Sequence, residues 1–238
     1  MIRFHIDDWR AWAPGLATPE EWARWGRAPW HPNETDGEPD VSFLPPMQRR
    51  RLSRLARMVF HAAWPLAEGR SPMPMIFVSR HGEISRTFAI LSDLAQAQPL
   101  SPTQFSLSVH NATIGLWSIL RGDPSEMTAL ACEGDGLELG ALEAAALLDD
   151  GAEAVLLVVA EEFPTDVYRD WVDDVPCAHA VALRLCPGDT WALTRTKAAE
   201  QHDTAWPHAL RLVNMLSTQA DRCQNHWKGH SWTWQHGA

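Results

Sequence analysis

The sequence predicts an α/β domain built around parallel strands. Strand-like and helix-like segments alternate along the chain, and residues 128–160 read as an apolar strand, a helix and a second apolar strand. The connections in that unit are short enough for parallel neighbours in one sheet. Composition agrees: 238 residues, 45% hydrophobic and 21% charged, suffice for one large core in a single domain.

The elements follow in order. "IRFHI" (2–6) alternates like a strand. "ATPEEWARWGR" is a helix with Thr18 as N-cap, Pro19 at the first position, and Glu20 and Glu21 in the first turn. Residues 29–46 are rich in Pro, Gly and Asp and read as loop. "MQRRRLSRLARMVFHAAW" (47–64) restores helical period. Leu52, Leu55, Ala56, Val59, Phe60 and Ala63 lie on one face, and Arg50, Arg54, Arg57 and His61 on the other. "MPMIFVSR" is a second strand, Glu83 to Ala97 a helix, and 101–125 a loop followed by a helix. "HAVALRL" and "TWALTRT" read as an antiparallel hairpin around "CPGD". "WPHALRLVNMLSTQA" is a last amphipathic helix, and "DRCQNHWKGHSWTWQHGA" shows no clear period. The expected division is a domain over 1–220 and a Trp- and His-rich tail over 221–238.

A net charge of −10 argues against general binding to nucleic acid or anionic membranes, both of which need a broad basic surface. No segment approaches the roughly 20 apolar residues of a membrane span. With no secretion signal at the N-terminus, Cys132, Cys177, Cys186 and Cys223 are expected as reduced thiols in the cytoplasm. Cys223, His226 and His230 have a zinc-like spacing but no second cysteine nearby, so neither a metal nor another cofactor is expected. Thirteen tryptophans against one tyrosine suggest sizeable contact surfaces.

One constellation resembles a known family. "SPTQFSLSVHNATIGLWSI", then "DPSEMTALAC", then "LELGALEAAALLDDGAEAVLLV" is similar to the N-terminal half of a β-ketoacyl-acyl-carrier-protein synthase. Asn111 and Gly115 match its Asn-x-x-x-Gly helix. Asp123-Pro124-Ser125 approximates its Gly-Pro-Ser turn, and Gly151-Ala152-Glu153-Ala154 echoes a later turn. "WAPGL" and "FLPPMQRRRLSRLARM" look more like the short chain-length-factor subunits of aryl-polyene gene clusters. The resemblance implies one N-terminal-type half of a thiolase-like fold, with a mixed five-stranded sheet and flanking helices.

It also implies site residues. Counted from the Pro-Ser turn, the nucleophile slot falls on Cys132; counted back from the Gly151 turn, it falls on Gly134. Condensation needs an activated thiolate and donors, usually two histidines, for the developing charge. Those histidine motifs belong to the family's second half, and none of the eleven histidines here matches them. Glu133 is expected to raise the Cys132 pKa by like-charge repulsion. Cys132 is therefore read as a vestigial nucleophile position, its bland alternative being a small buried hydrophobe.

The implied function is a non-catalytic subunit that pairs with a full-length ketosynthase and shapes the cavity of a growing acyl or polyene chain. Gln104, Phe105, Leu107, His110, Asn111 and Gly134 are the tunnel or interface candidates. Residues 126–132 would pair edge to edge with the partner. Arg50, Arg54 and Arg57 would dock an acidic acyl carrier protein, against the alternative of a solvated face with internal pairs. Two rivals stay open: an acyl-transfer enzyme using Cys132 as acceptor, and a scaffold that only solubilises its partner.

Overall fold

The computed structural model describes residues 1–172, 174–199 and 205–237. Residues 173 and 200–204 of the expected domain, and Ala238 of the expected tail, lie outside the described residues.

The centre is a parallel trio: β2 (Met75–Val78) lies between β3 (Met127–Leu130) and β4 (Val155–Glu161). β4 continues antiparallel into β5 (His179–Lys197), and β5 carries β1 (Ile2–Trp12) along its other edge. The far half of β5 pairs with β7 (His230–His236), which pairs with β6 (Arg222–Trp227). The sheet has seven strands in the order β3-β2-β4-β5-β7-β6, with β1 on β5.

The strands of the centre are apolar without interruption because helices cover both faces. Along β4, Val155, Leu157 and Val159 join one core layer, while Leu156, Val158 and Ala160 join the other. The first layer is completed by α1 (Pro19–Arg27), α7 (Gly136–Asp149) and α8 (His208–Thr218), the second by α3 (Arg54–Ala67) and α6 (Ala112–Arg121). Helix α7 lies close on the sheet: a Cβ at Gly140 would come within 2.6 Å of Leu157 and 2.8 Å of Val78. Helix α1 starts as its sequence dictates. The Thr18 hydroxyl accepts from the Glu21 N–H, the Glu21 carboxylate accepts from the Thr18 N–H, and Pro19 opens the first turn.

Four expectations are corrected. The sheet has seven strands because residues 222–236 form a hairpin instead of an irregular tail. Its turn is Lys228-Gly229, with φ of 43° and 75°, the left-handed pair that a two-residue hairpin requires. Residues 179–197 form one strand, not a hairpin: β1 runs antiparallel to both halves, stepping from Trp191 to Cys186 between Phe4 and His5 while 187–190 bulge out. Helix 47–64 is broken into α2 (Pro46–Arg49) and α3, because Ser53 caps α3 by accepting from the Ala56 N–H. The first strand runs to Trp12, well past residue 6.

Candidate functional site

In α/β sheets the carboxyl ends of parallel strands leave a crevice. Here that crevice is a cavity of about 170 Å³, lined from the strand ends by Val78, Arg80, Cys132, Val159 and Glu161. Its other walls come from the start of α7, from Asp174 and His179, and from Trp206, His208 and Trp227.

Cys132 follows β3 by two residues and is half-buried. The thiol pKa is raised, first by burial and then by the Asp135 carboxylate. Asp135 is the N-cap of α7, so a negative charge stands where the helix end would otherwise favour a thiolate. Asp135 replaces Glu133 as the charge acting on the thiol, because Glu133 is exposed and ion-paired with Lys228.

Three carboxylates crowd this helix start, and each is held by the C-terminal hairpin. Glu133 takes Lys228. Asp135 accepts from the Trp232 indole N–H at 3.2 Å. Glu138, completely buried, accepts from Asn225 at 2.7 Å and Trp234 at 3.1 Å, and pairs with His208 of α8 at 2.8 Å. Burial works to raise the Glu138 pKa, but His208 and the two amide and indole donors outweigh it and hold the carboxyl low. Between these contacts Trp227 lies flat on the backbone: a Cβ at Gly134 would meet its ring at 2.4 Å.

A second polar group, Arg80, Glu161, Asp174 and His179, also lines the cavity. The buried Glu161 accepts from the Arg80 and His81 N–H groups and, at 3.1 Å, from the Ser79 hydroxyl. Desolvation still wins, and its pKa is pushed up to about 7. Asp174 is held down at about 2: burial raises it, but hydrogen bonds from His81 at 3.2 Å and Arg80 at 2.7 Å dominate. His179 lies opposite Glu161 across the β4–β5 ladder, and burial lowers its pKa.

The remaining candidates lie on another face. Phe105 is 63% exposed on α5 (Pro102–Ser106), Leu107 is half-buried at its end, and Gln104 accepts from Arg86. Asn111 is exposed at the start of α6 with no capping hydrogen bond from its side chain. His110 is pinned through Nε2 to the Ser79 carbonyl at 2.7 Å, which ties this face to the loop that Glu161 holds. β3 has β2 as its one neighbour among the described residues, and all four of its residues are half-buried. Leu91 and Leu94 of α4 (Ile84–Ala95) and Ile119 of α6 are exposed apolar side chains.

The basic helix is largely spent on the chain itself. Arg54 binds Glu34 at 3.0 Å and lies over the Trp12 ring, and Arg57 donates to the Arg49 carbonyl at 3.0 Å. Arg50 stays exposed. Cys223 and His226 stand three apart on β6 and so face opposite sides of the sheet. Among the described residues no three side chains could hold a metal ion, and no helix is long and apolar enough to cross a membrane.

Residues 22–235 match the family model described as β-ketoacyl synthase, N-terminal domain. The chain belongs to that family. Among solved structures it resembles a chain of the complex of the ketosynthase ApeO with its chain length factor ApeC from Xenorhabdus doucetiae. Identity is 28% and the TM-score 0.91, over 99% of this chain and 100% of that one. The ishigamide ketosynthase/chain length factor (15%, TM-score 0.65, 83% and 68% of the two chains) shares the fold. So does a β-ketoacyl synthase from Burkholderia phymatum STM815 (11%, TM-score 0.62, 93% and 71%). A comparison with curated proteins finds no match. The fold is the thiolase-like one of ketosynthases.

Glu161, His179, Asp174, Trp206 and Trp227 were not legible as site residues. They reach the cavity from strands and loops distant in sequence. The paired acids at the end of "VLLVVAEE" are the one local signal, a charge closing a fully apolar strand.

Proposed function

We propose that this protein is a ketosynthase-like subunit of the chain-length-factor type. It pairs in the cytoplasm with a full-length β-ketoacyl-acyl-carrier-protein synthase and walls part of the cavity in which the partner extends an acyl or polyene chain. The observation that carries this reading is β3, which ends the sheet with one edge unpaired among the described residues, on a chain that also exposes Leu91, Leu94, Phe105 and Ile119 on α4, α5 and α6. Open strand edges and exposed large apolar side chains both favour being covered by a partner. The likeness, at full coverage of both chains, to a chain of a ketosynthase–chain length factor complex supports the same reading.

Its action is steric. Phe105, Leu107 and the pinned His110 present side chains on the face the partner would cover, while the partner supplies the nucleophile and the charge-stabilising histidines. Gln104 and Asn111 would lie at the joint, and Arg50 would steer an acyl carrier protein, with Arg54 and Arg57 serving mainly internal structure. The raised thiol pKa of Cys132 and the acid at the helix start speak against a working nucleophile.

Co-expression with a ketosynthase of the same gene cluster, followed by size-exclusion chromatography and product analysis, tests the proposal. A stable hetero-complex is expected, weakened by Phe105→Asp and Ile119→Asp, whose side chains touch solvent in the free chain. The chain alone, given malonyl and acyl carriers, should extend nothing. Unaided extension, or complexes indifferent to both substitutions, would refute the reading.

A further inference from the structure

The acids at the start of α7 have no capping role: the Asp135 side chain makes no hydrogen bond to the helix N-terminus. They serve instead as hooks. Lys228, Trp232, and the pair Asn225 and Trp234 take Glu133, Asp135 and Glu138 in turn, so three positions within six residues are bound by one hairpin. The hairpin is itself anchored. β7 is paired with β5 from Trp191 to Lys197, and Arg211 of α8 donates to the Asn225 side chain at 2.8 Å and to the Gln224 carbonyl at 2.7 Å. Strand alternation then puts Cys223, Asn225 and Trp227 on the inner face, and Trp227, next to the turn, lines the cavity that Cys132 also lines.

Gly134 gives this arrangement its meaning. It lies two residues after the thiol, and its side-chain space is filled by the Trp227 ring at distances that no other residue type could accept without displacing the indole. A bulky apolar ring on bare backbone, with a cation from the next residue fastening the tip, is the geometry of a closed strap.

We infer that the β6–β7 hairpin is an intramolecular strap over the cavity, with Trp227 seated on Gly134 so that access to the half-buried Cys132 is restricted until the hairpin tip lifts. The inference does not depend on pairing with a ketosynthase and can fail separately from it. It makes the reactivity of the thiol depend on the cover as much as on the thiol's own surroundings.

The experiment uses the full chain and iodoacetamide, whose iodide the cysteine sulfur displaces with loss of the thiol proton. Alkylation is followed by peptide mass spectrometry at Cys132 and at Cys186, which lies opposite His5 on β5 outside the cavity lining. When reaction runs through local opening, its rate follows the open population. Trp227→Ala should raise the Cys132 rate about tenfold or more, and Lys228→Glu, which sets two acids against each other at the tip, should raise it severalfold. Cys186 should be unchanged in both. A folded Trp227→Ala chain with an unaltered Cys132 rate overturns the strap, as does an equal rise at Cys186, which would report general loosening. If Trp227→Ala does not fold, Lys228→Glu decides at its exposed site: a selective rise supports the strap and no rise refutes it.

Discussion

The buried Glu161 gives the sharpest handle on the energetics of the cavity. Its carboxyl is pushed from an ordinary 4.5 to about 7 because burial outweighs three hydrogen-bond donors. A carboxyl that holds its proton more tightly in the folded chain stabilises the fold fully below its unfolded pKa. That advantage is lost as pH rises through the folded value. Here the window runs from about pH 4.5 to about pH 7, and 2.5 units at 1.36 kcal/mol each amount to about 3 kcal/mol. His179, its cross-strand neighbour, works in the opposite sense. Burial lowers its pKa, so its contribution falls as pH drops below the ordinary histidine value. Glu162, also raised by burial, adds to the Glu161 trend. The clean quantity is therefore the stability of the native chain minus that of Glu161→Gln, in which the neighbours cancel. Urea unfolding at pH 5, 6, 7 and 8 should show this difference moving against the native chain by about 2.5 kcal/mol from the acid end to the alkaline end, since part of the full shift is already lost at pH 5. A difference constant to within about 0.5 kcal/mol would mean that the carboxyl is not desolvated as described.

Two further outcomes follow from the packing. Glu138→Ala leaves the buried His208, Asn225 and Trp234 donors without their shared acceptor. It should cost about 3–5 kcal/mol, read as a lowered urea midpoint at pH 7, and a loss below about 1 kcal/mol would show that the network is dispensable. Gly140→Ala forces a methyl to within 2.8 Å of both Leu157 and Val78. It should destabilise by about 1–3 kcal/mol despite alanine's better helix propensity, and a rise in melting temperature would refute the close α7–sheet contact.

The parts legible in the sequence were those whose determinants are local. Thr18-Pro19-x-Glu21 carries its own capping box, and "VLLVVA" is apolar at every position because both faces are covered. The order of motifs around Asn111, Pro124 and Cys132 was enough to reach the family. What escaped depended on distant partners. "CPGD" has turn chemistry, but β1 holds the two halves of β5 in line, so the Pro-Gly pair bulges instead of reversing the chain. The C-terminal hairpin did leave a trace, since "NHWKGHSWTW" places Lys-Gly between Trp227 and a segment with tryptophan at the alternate positions 232 and 234. Its histidines and polar residues masked the period. The basic face of α3 looked free because Glu34, which takes Arg54, sits in a loop 20 residues earlier. The role of the acids after Cys132 was invisible, for Lys228 lies 95 residues beyond Glu133.

The span between those hooks and their hairpin bears on how the molecule is made. Glu138 receives His208, Asn225 and Trp234 from 70, 87 and 96 residues downstream, so a chain emerging from the ribosome carries this acid in its central helix without its partners while all of the intervening sequence is made. Loop closure over such distances is slow, and the first-made sheet must wait, half-lined, for its last two strands. A nascent chain stalled before residue 222 should therefore be the form most in need of chaperones.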